Sequence, residues 1–322
     1  MGRAIGVDVG GTKILAGLVG EDGTLSATTR CPTPSTDPEA VADVIADLVN
    51  ELRGKAGDDV ETVGIGAAGF VDRARSTLLF APNLAWRNEP LRDKVADRVG
   101  LPVVVENDAN ATAWGEFRFG AGRDRPDLIC LTVGTGIGGG IVLGGALYRG
   151  SFGIGGEFGH FRVVPDGRRC GCGNRGCWEQ YCSGRALVRE AREIAVVDPP
   201  YSIRLRELGG GVDGIDGDHV TTAAQEGDPA ALECFTVVGT WLGQGLADLC
   251  AVLDPGTFVV GGGVSEAGDL LLEPARAAFE ERMTGHGHRP VAEVLVAELG
   301  ANAGLIGAAD LSRQPDSPPT QL

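Results

Sequence analysis

The stretch RAIGVDVGGTKILAGLV, residues 3–19, predicts two short buried strands joined by a tight Gly/Thr turn at 10–12. The same order returns in DLICLTVGTGIGGGIVLGGALY, residues 127–148, where GTGIGGG is the expected turn and 141–143 the strand after it. A further short strand follows each copy. Two copies of strand, turn, strand and strand indicate an internal duplication, and we expect one turn from each half to face a shared cleft.

Helical patterns alternate with strands along the rest of the chain. Asp37 and Pro38 are expected to cap and open the first helix, because Asp favours the N-cap and Pro the first helical position. Residues 198–219, rich in Gly, Pro and Asp, are expected to form a loop. Ser183 is expected to cap a helix. The other predicted helices are 90–99, 109–119, 184–196, 228–253, 270–283 and 303–311, and the other predicted strands are 60–68, 103–106, 257–260 and 291–297.

Composition narrows the class of function. The chain has 322 residues, enough for two lobes, with 28 basic and 44 acidic residues and a net charge of −16. Such a charge disfavours binding to nucleic acid or to anionic membranes. The N-terminus MGRAIGVDVGG lacks the features of a signal peptide, and we expect no apolar run to approach the length of a membrane span. The eight cysteines suit a reducing compartment, so a cytoplasmic protein is expected.

A cysteine cluster predicts a metal site. Cys170, Cys172 and Cys177 lie within CGCGNRGC, whose glycines allow a tight loop. His160, ten residues upstream, is either a fourth ligand or an ordinary polar residue. Three thiolates and an imidazole would form a closed tetrahedral set, which suits structural zinc, because catalytic zinc keeps one position for water.

The glycine-rich turns exclude two nucleotide motifs. Residues 134–139 match GxGxxG formally, but a strand follows where the dinucleotide fingerprint needs a helix. The segment GVDVGGTK at 6–13 lacks the Gly-Lys-Ser/Thr ending of a Walker A loop. A turn that presents successive backbone amides can still bind phosphate, with Thr12 and Lys13 as further donors. The alternative is that both turns are simple hairpins.

Six segments together resemble the ROK sugar kinases, and within them the bacterial ATP-dependent glucokinases. The match covers most of the chain, in the family's order and spacing. The segments are GVDVGGTK (6–13), ENDANATAWGE (106–116), LTVGTGIGGGIV (131–142), GEFGH (156–160), CGCGNRGCWE (170–179) and DPGTFVVGGGVS (254–265).

The resemblance implies an α/β protein with the actin-like ATPase (ribonuclease H-like) fold, in which two lobes with duplicated sheets enclose a cleft. The expected small lobe is 1–110, completed by a C-terminal helix near 301–312. The expected large lobe is 111–300, with a zinc loop at 156–180, and 313–322 are expected to be a disordered tail.

The resemblance also implies residue roles. The sugar-contacting positions are Asn83, Asn107, Asp108, Glu157, His160 and Glu179. The nucleotide-binding positions are Asp8, Gly10, Gly11, Thr12, Lys13, Thr135, Gly136, Gly261, Gly262 and Gly263. The structural zinc ligands are His160, Cys170, Cys172 and Cys177. Asp108 would be the general base, although its place between VVVEN and ANATAWGEF also suits a helix N-cap. Asp8 would help to position Mg²⁺ through water.

The implied activity is transfer of the γ-phosphoryl group of ATP, bound with Mg²⁺, to the 6-hydroxyl of glucose. The alternatives are a kinase for another hexose or amino sugar (mannose, fructose, N-acetylmannosamine), polyphosphate as donor, or a non-catalytic sugar sensor. The family's repressors carry an added N-terminal DNA-binding domain, for which the position of Gly6 is expected to leave no room. The resemblance further implies a dimer or tetramer.

Overall fold

The structure is a computed structural model that describes residues 2–56, 59–81, 86–198 and 200–314. The described part of the chain divides into two compact units. Unit 1 comprises Met1–Cys130, Gly140–Gly156 and Ala297–Leu322, and unit 2 comprises Leu131–Gly139 and Glu157–Val296. Residues 315–322, most of the expected tail, lie outside the described residues.

The chain alternates strands with helices, as expected. The strands are β1 Arg3–Val9, β2 Lys13–Val19, β3 Leu25–Pro32, β4 Val60–Ala67, β5 Phe70–Val71, β6 Leu78–Phe80, β7 Arg87–Glu89, β8 Val103–Asn107, β9 Leu128–Val133, β10 Ile137–Leu143, β11 Ala146–Tyr148, β12 Thr257–Gly261 and β13 Glu293–Val296. The α-helices are α1 Pro38–Ala56, α2 Leu91–Val99, α3 Asp108–Phe119, α4 Glu179–Cys182, α5 Gly184–Val197, α6 Ile203–Leu208, α7 Gly217–Gln225, α8 Pro229–Leu253, α9 Asp269–Arg282 and α10 Ala303–Ser312. Short 3₁₀ turns occupy Phe158–His160, Gly263–Ala267 and Gly300–Asn302.

The two large sheets share one topology, which confirms the predicted duplication. The first has the order β3-β2-β1-β4-β8 and the second β11-β10-β9-β12-β13. In each, an antiparallel hairpin continues into parallel strands: β1 pairs antiparallel with β2 and parallel with β4, and β12 pairs parallel with β13. A three-stranded sheet, β5-β6-β7, adds to unit 1. This is the mixed α/β architecture that the sequence predicted.

Unit 1 has a helix layer on each face of its sheet because the strand residues alternate between faces. Ile5, Val7 and Val9 face the core formed with α1 and α2. On the opposite face, Gly6 and Gly64 lie side by side in β1 and β4, and α10 packs directly on them. A Cβ atom at Gly6 would lie 1.8 Å from the carbonyl oxygen of Leu305, so only glycine allows this approach.

Helix α8 is the central helix of unit 2. It packs extensively against α9, and Gly243 meets the backbone of Ala275 so closely that an added Cβ would lie 2.1 Å from its oxygen. Among the described helices, only α8 is long and apolar enough to cross a membrane by length and composition, with half of its most apolar window buried. The expectation that no apolar run approaches a membrane span was therefore wrong, although this burial is typical of a core helix.

Three local predictions need correction. Residues 198–219 are not all loop, because α6 and the start of α7 lie there, and Asp216 caps α7 by accepting from the N–H of His219 at 3.0 Å. The GTGIGGG turn is shorter than expected, since β10 already begins at Ile137, which is buried. Strands β5–β7 and helix α4 were not anticipated, because segments of two to four residues show no periodicity.

Candidate active site and metal centre

The first Gly/Thr turn projects from the carboxyl end of β1. Asp8 is the last residue but one of that strand, and the N–H of Gly10 donates to the carbonyl of Lys13 at 3.0 Å to close the turn. The hydroxyl of Thr33 donates to the carbonyl of Gly10 at 2.7 Å and fixes the turn from the side. Thr12 and Lys13 are exposed. The turn therefore presents a hydroxyl and an ammonium group to solvent beside a carboxylate.

The junction between β8 and α3 holds the second carboxylate of unit 1. Asn107 is the N-cap of α3: its Oδ1 accepts from the N–H of Asn110 at 3.0 Å. Its Nδ2 donates to the carbonyl of Gly69 and to Oδ1 of Asp108, both at 3.1 Å. The cap role that the sequence left open for Asp108 thus belongs to Asn107. Asp108 is the first helical residue and not the N-cap.

Both carboxylates resist ionisation. Parallel strands β1, β4 and β8 end at the same edge of the sheet, with Asp8 opposite Gly66 of β4. Burial raises the pKa of Asp108, and hydrogen bonds from the amide of Ala109 and from Asn107 oppose that effect only in part. Burial and the negative charge of Asp108 raise the pKa of Asp8 to about 7, against the attraction of Lys13. Two acids with raised pKa values at one sheet edge are typical of an active site.

The pKa of Asp8 predicts a pH-dependent stability. Its value of about 7 in the folded protein exceeds the ordinary 3.8, so between these values the folded chain binds more protons than the unfolded chain. The stabilising contribution is complete below pH 4 and is lost as pH rises through 7. In urea titrations without nucleotide, we expect Asp8→Asn to gain about 2–3 kcal/mol relative to wild type between pH 5 and pH 8. Asp47→Asn, at an exposed site on α1, is the control, and an equal difference at both pH values would contradict the expectation.

The second Gly/Thr turn lies between β9 and β10 in unit 2. The N–H of Gly134 donates to the carbonyl of Gly136 at 3.0 Å, and Thr135 at the tip is exposed. A Cβ atom at Gly136 would lie 2.6 Å from Oε2 of Glu179, so the carboxylate of Glu179 lies against this turn. The N–H of Gly184 donates to the carbonyl of Gly134 at 2.7 Å. The turn is thereby bound to the start of α5.

The segment Glu157–His160 lies beside the same turn. Gly159 packs so closely on β10 that a Cβ atom there would lie 2.2 Å from the carbonyl oxygen of Ile137. The N–H of His160 donates to the carbonyl of Glu157 at 3.1 Å. Nδ1 of His160 lies 3.9 Å from Oε1 of Glu179. The structure therefore places Gly136, His160 and Glu179, all expected site residues, together within unit 2.

The predicted zinc ligands converge. A ring nitrogen of His160 and the sulfur atoms of Cys170, Cys172 and Cys177 all lie within 4.8 Å of one another. The Cys172 and Cys177 sulfurs are 3.6 Å apart, as are the Cys170 sulfur and Nδ1 of His160. A zinc–sulfur bond of about 2.3 Å gives a tetrahedral edge of about 3.8 Å, so these separations fit tetrahedral zinc. All four expected zinc ligands therefore belong to this cluster.

Backbone geometry forms the cysteine loop. The N–H of Cys170 donates to the carbonyl of Asn174 at 2.9 Å. Gly176 has a φ of 75°, and a Cβ atom there would lie 1.6 Å from the carbonyl oxygen of Val164. Burial raises the pKa of Cys172, but hydrogen bonds from the Asn174 backbone and from the other two cysteines outweigh it and lower that pKa. A thiol that ionises readily suits a metal ligand.

A groove of about 970 Å³ opens beside Thr135 in unit 2. One wall is α5, with Gly184 at its start and the apolar side chain of Val188. The other wall is the segment before α7, including Val212. Sequence reasoning missed these residues, although the glycine that starts α5 directly after the cysteine loop was a usable signal. The groove also exposes Arg185, a cation for an anionic ligand.

The three glycines at 261–263 lie at the end of β12, next to the residue that precedes the second Gly/Thr turn. Gly262 has a φ of 90°, and a Cβ atom there would lie 2.6 Å from the carbonyl oxygen of Val133. Gly261 ends β12 and Gly263 begins a 3₁₀ turn. Val264 in that turn approaches Gly184, where a Cβ atom would lie 3.2 Å from its Cγ2. The predicted glycines therefore adjoin the groove.

The expected site residues fall into two sets. Those in unit 1 are Asp8, Gly10, Gly11, Thr12, Lys13, Asn107 and Asp108. Those in unit 2 are Thr135, Gly136, Glu157, His160, Glu179, Gly261, Gly262, Gly263 and the three cysteines. Asn83 lies outside the described residues.

The chain is similar to known glucokinases along nearly its whole length. The chain is 55% identical over 317 residues to a glucokinase of Streptomyces coelicolor, covering 98% of this chain and 99% of the relative. It is 38% identical to a glucokinase of Thermotoga maritima, covering 97% of this chain and 98% of the relative. The crystal structure of a ROK family glucokinase from Streptomyces griseus with glucose and AMPPNP matches with a TM-score of 0.88 and 57% identity, covering 98% of this chain and all of the other.

The family assignment follows from two agreeing comparisons. The sequence profile of the ROK family matches residues 4–315, nearly the whole chain. The structural match extends over the same length and shows the actin-like ATPase fold. Together with the duplicated sheets and the His/Cys₃ cluster, these matches show that the chain belongs to the ROK family.

Proposed function

We propose that this chain is an ATP-dependent glucokinase, which transfers the γ-phosphoryl group of ATP to the 6-hydroxyl of glucose. The observation that carries the proposal is the β8–α3 junction, where Asp108 is partly buried, has a raised pKa and is not used as a helix cap. The identity to glucokinases of Streptomyces over nearly the full chain supports glucose as the sugar.

Glucose would be held by groups that match its ring of hydroxyls. Carboxylates of Glu157 and Glu179 accept hydrogen bonds from hydroxyls, and the amide of Asn107 can donate. His160 lies with Nδ1 towards the cysteines, which leaves Nε2 for a sugar hydroxyl. A site of this kind rejects epimers strongly, because one misplaced hydroxyl leaves a polar group unpaired. The assignment of Asn83 to the sugar stays a prediction.

Asp108 would accept the proton of the 6-hydroxyl during transfer. A general base works best when its pKa lies near the operating pH, and burial moves the pKa of Asp108 in that direction. Asn107 donates to Oδ1 at 3.1 Å and so orients the carboxylate. Phosphoryl transfer needs little covalent chemistry from the protein, so orientation of the hydroxyl is the main contribution.

ATP would use both Gly/Thr turns and the groove. Backbone amides at Gly10, Gly11 and Gly136 suit phosphate oxygens, with Lys13 and Thr135 as further donors. The groove along α5 begins at Thr135, and Gly184 and Val188 line it, so it fits the nucleoside half of the same molecule. Gly261, Gly262 and Gly263 adjoin this groove through Val264.

Two metal ions complete the proposal. Mg²⁺ that accompanies ATP would neutralise charge on the phosphate oxygens, with Asp8 as the carboxylate that holds it through water. Zinc on the His160/Cys₃ set would cross-link the loop and leave no coordination position for water. The cysteines would then hold His160 and the nearby Glu179 in place for the sugar.

All eight cysteines are free in the structure, which supports a reducing, cytoplasmic location. The acidic net charge of −16 supports the proposal that neither nucleic acid nor membrane is a partner. A homodimer or homotetramer, implied by the family resemblance, stays a prediction.

A sugar panel tests the proposed function. ADP release is measured with ATP and glucose, mannose, fructose, glucosamine or N-acetylmannosamine, and we expect kcat/KM for glucose to exceed the others by about tenfold or more. A higher value for another sugar would assign the kinase to that sugar. Sugar binding without any turnover would indicate a sensor, and turnover only with polyphosphate would replace ATP as the donor.

A further inference from the structure

Three largely buried charged side chains, Glu106, Arg75 and Arg149, form a cluster next to the β8–α3 junction. Glu106 is 1% exposed, and Nε of Arg149 donates to its Oε1 at 3.0 Å and lies 2.8 Å from its Oε2. Nε of Arg75 lies 3.2 Å from the same Oε2. Buried ion pairs contribute little net stability, because desolvation offsets their attraction. Stability alone therefore does not account for the ion pairs of Glu106 with Arg75 and Arg149.

Glu106 holds both residues that form the cap of α3. Its Oε1 accepts from the N–H of Asn107 at 2.9 Å and from Nδ2 of Asn110 at 3.1 Å. Asn107 and Asn110 are also joined directly by the capping bond. The carboxylate of Glu106 therefore fixes the position of the backbone from which the side chain of Asp108 projects.

Arg149 fixes Glu106 in turn and joins it to two other segments of unit 1. Its Nη1 donates to the carbonyl of Arg73, and its Nη2 donates to the carbonyl of Asp72, both at 3.0 Å. Its own carbonyl accepts from the N–H of Gly155 at 2.9 Å. Gly153 packs on the same turn, where a Cβ atom would lie 2.7 Å from the carbonyl oxygen of Val71. Every nitrogen of the guanidinium group thus has a partner within the protein.

We infer that Arg149 is a positioning residue for the proposed kinase reaction: through Glu106 it holds the β8–α3 junction, and with it Asp108, in the orientation that accepts a proton from the sugar. This inference rests on the proposed function of Asp108. The role of Arg149 would be indirect, because its guanidinium donors are used within the protein. Misplacement of a reacting group by about 1 Å can reduce a rate by about 100-fold, so the effect of losing this residue should appear in kcat.

The test compares Arg149→Ala and Arg149→Lys with wild type. Lysine keeps the charge beside Glu106 but cannot supply donors in three fixed directions, so it is the milder variant. We expect kcat to fall by about 100-fold in Arg149→Ala and about tenfold in Arg149→Lys. KM for ATP should stay within about twofold of wild type, since the guanidinium group of Arg149 donates to Glu106, Arg73 and Asp72 rather than to the 10–13 turn. Hydrogen exchange, followed by mass spectrometry, should accelerate in peptides that cover 103–112.

The control is Arg98→Ala, made in the same unit. Arg98 joins α2 to Glu39 and Asp43 of α1 at 2.8 and 2.7 Å, away from the β8–α3 junction, so its loss should leave kcat within about twofold. A kcat for Arg149→Ala equal to that of Arg98→Ala would overturn the inference. So would a parallel rise of KM for ATP, which would indicate general disruption.

Failure of the proposed function is recognised separately. If wild type phosphorylates no sugar, the proposed function is wrong, and the exchange measurement alone decides whether Arg149 holds the junction. Faster hydrogen exchange at 103–112 in both Arg149 variants, with wild-type exchange in Arg98→Ala, supports the inference that Arg149 holds the junction. Unchanged exchange at 103–112 in the Arg149 variants overturns that inference.

Discussion

Asp108→Asn is expected to lower kcat for glucose phosphorylation by about 10³-fold while glucose still binds with nearly wild-type affinity. Asparagine keeps the shape of the side chain but cannot accept the proton of the 6-hydroxyl. The helix cap survives, because Asn107 rather than Asp108 provides it. Stopped assays of ADP release give kcat, and calorimetric titration with glucose gives the affinity. Asp108→Ala should show the same fall in kcat and the same glucose affinity, since it also lacks the carboxylate that accepts the proton.

The control for this variant is Asp93→Asn. Asp93 also lies in the first turn of a helix in unit 1, so its loss reproduces the favourable effect of a carboxylate on a helix N-terminus without touching the junction. We expect its kcat to match wild type. If Asp108→Asn turned over glucose within a few-fold of wild type, Asp108 would not be the base, and the raised pKa would need another explanation.

The sequence predicted the repeated part of the fold well, because that part is encoded locally. Apolar runs with flanking Gly/Thr turns specified β1, β2 and β9, and both large sheets then share one strand order. Capping residues were equally readable: Asp37 accepts from the N–H of Glu39 at 3.0 Å, and Ser183 accepts from that of Ala186 at 3.3 Å.

The rest of the fold depended on contacts that no local pattern encodes. The loop prediction for 198–219 was wrong because α6 has only six residues, with two prolines shortly before it in the sequence and three glycines directly after it. The start of β10 was missed because its glycines suggested a turn, whereas Gly140 is needed for packing: a Cβ atom there would lie 2.5 Å from Cβ of Ala113. Such a requirement arises only once α3 is in place.

The candidate site also combines residues that a local sequence pattern predicts with residues that only the fold brings together. The cysteine spacing indicated a metal loop directly, whereas the choice of His160 as fourth ligand rested on the family resemblance until the structure placed its Nδ1 beside Cys170. Glu106 and Arg149 are separated by 43 positions. Glu106 opens the ENDANATAWGE segment, but Arg149 belongs to none of the six family segments, and no sequence pattern pairs the two residues. Residues that touch a substrate can be found by type and spacing, while residues that hold them can be found only from the fold.

Loss of zinc is expected to abolish glucose binding before it affects nucleotide binding. Cys177 is buried and belongs to the four-ligand cluster, so Cys177→Ser should release the metal and disorder residues 156–180. Glu179 would be displaced with the loop, because Oε1 of Glu179 lies 3.0 Å from the sulfur of Cys170. We expect glucose affinity to fall by about 10–100-fold, the range in which supporting contacts of metal sites act. Binding of a non-hydrolysable ATP analogue should change by less than about threefold, because Thr135 and the groove along α5 do not include a zinc ligand.

Cys31→Ser separates this effect from the simple loss of a thiol. Cys31 lies in β3 of unit 1, outside the cluster, and should leave metal content and glucose affinity unchanged. Metal content is measured by atomic emission, the two affinities by calorimetry, and the order of the loop by hydrogen exchange over 156–180. Chelation of the wild-type protein should reproduce the Cys177→Ser result, and added zinc should reverse it only in wild type. A zinc-free preparation that binds and phosphorylates glucose normally would contradict the structural role, since the protein would then hold His160 and Glu179 in place through hydrogen bonds alone.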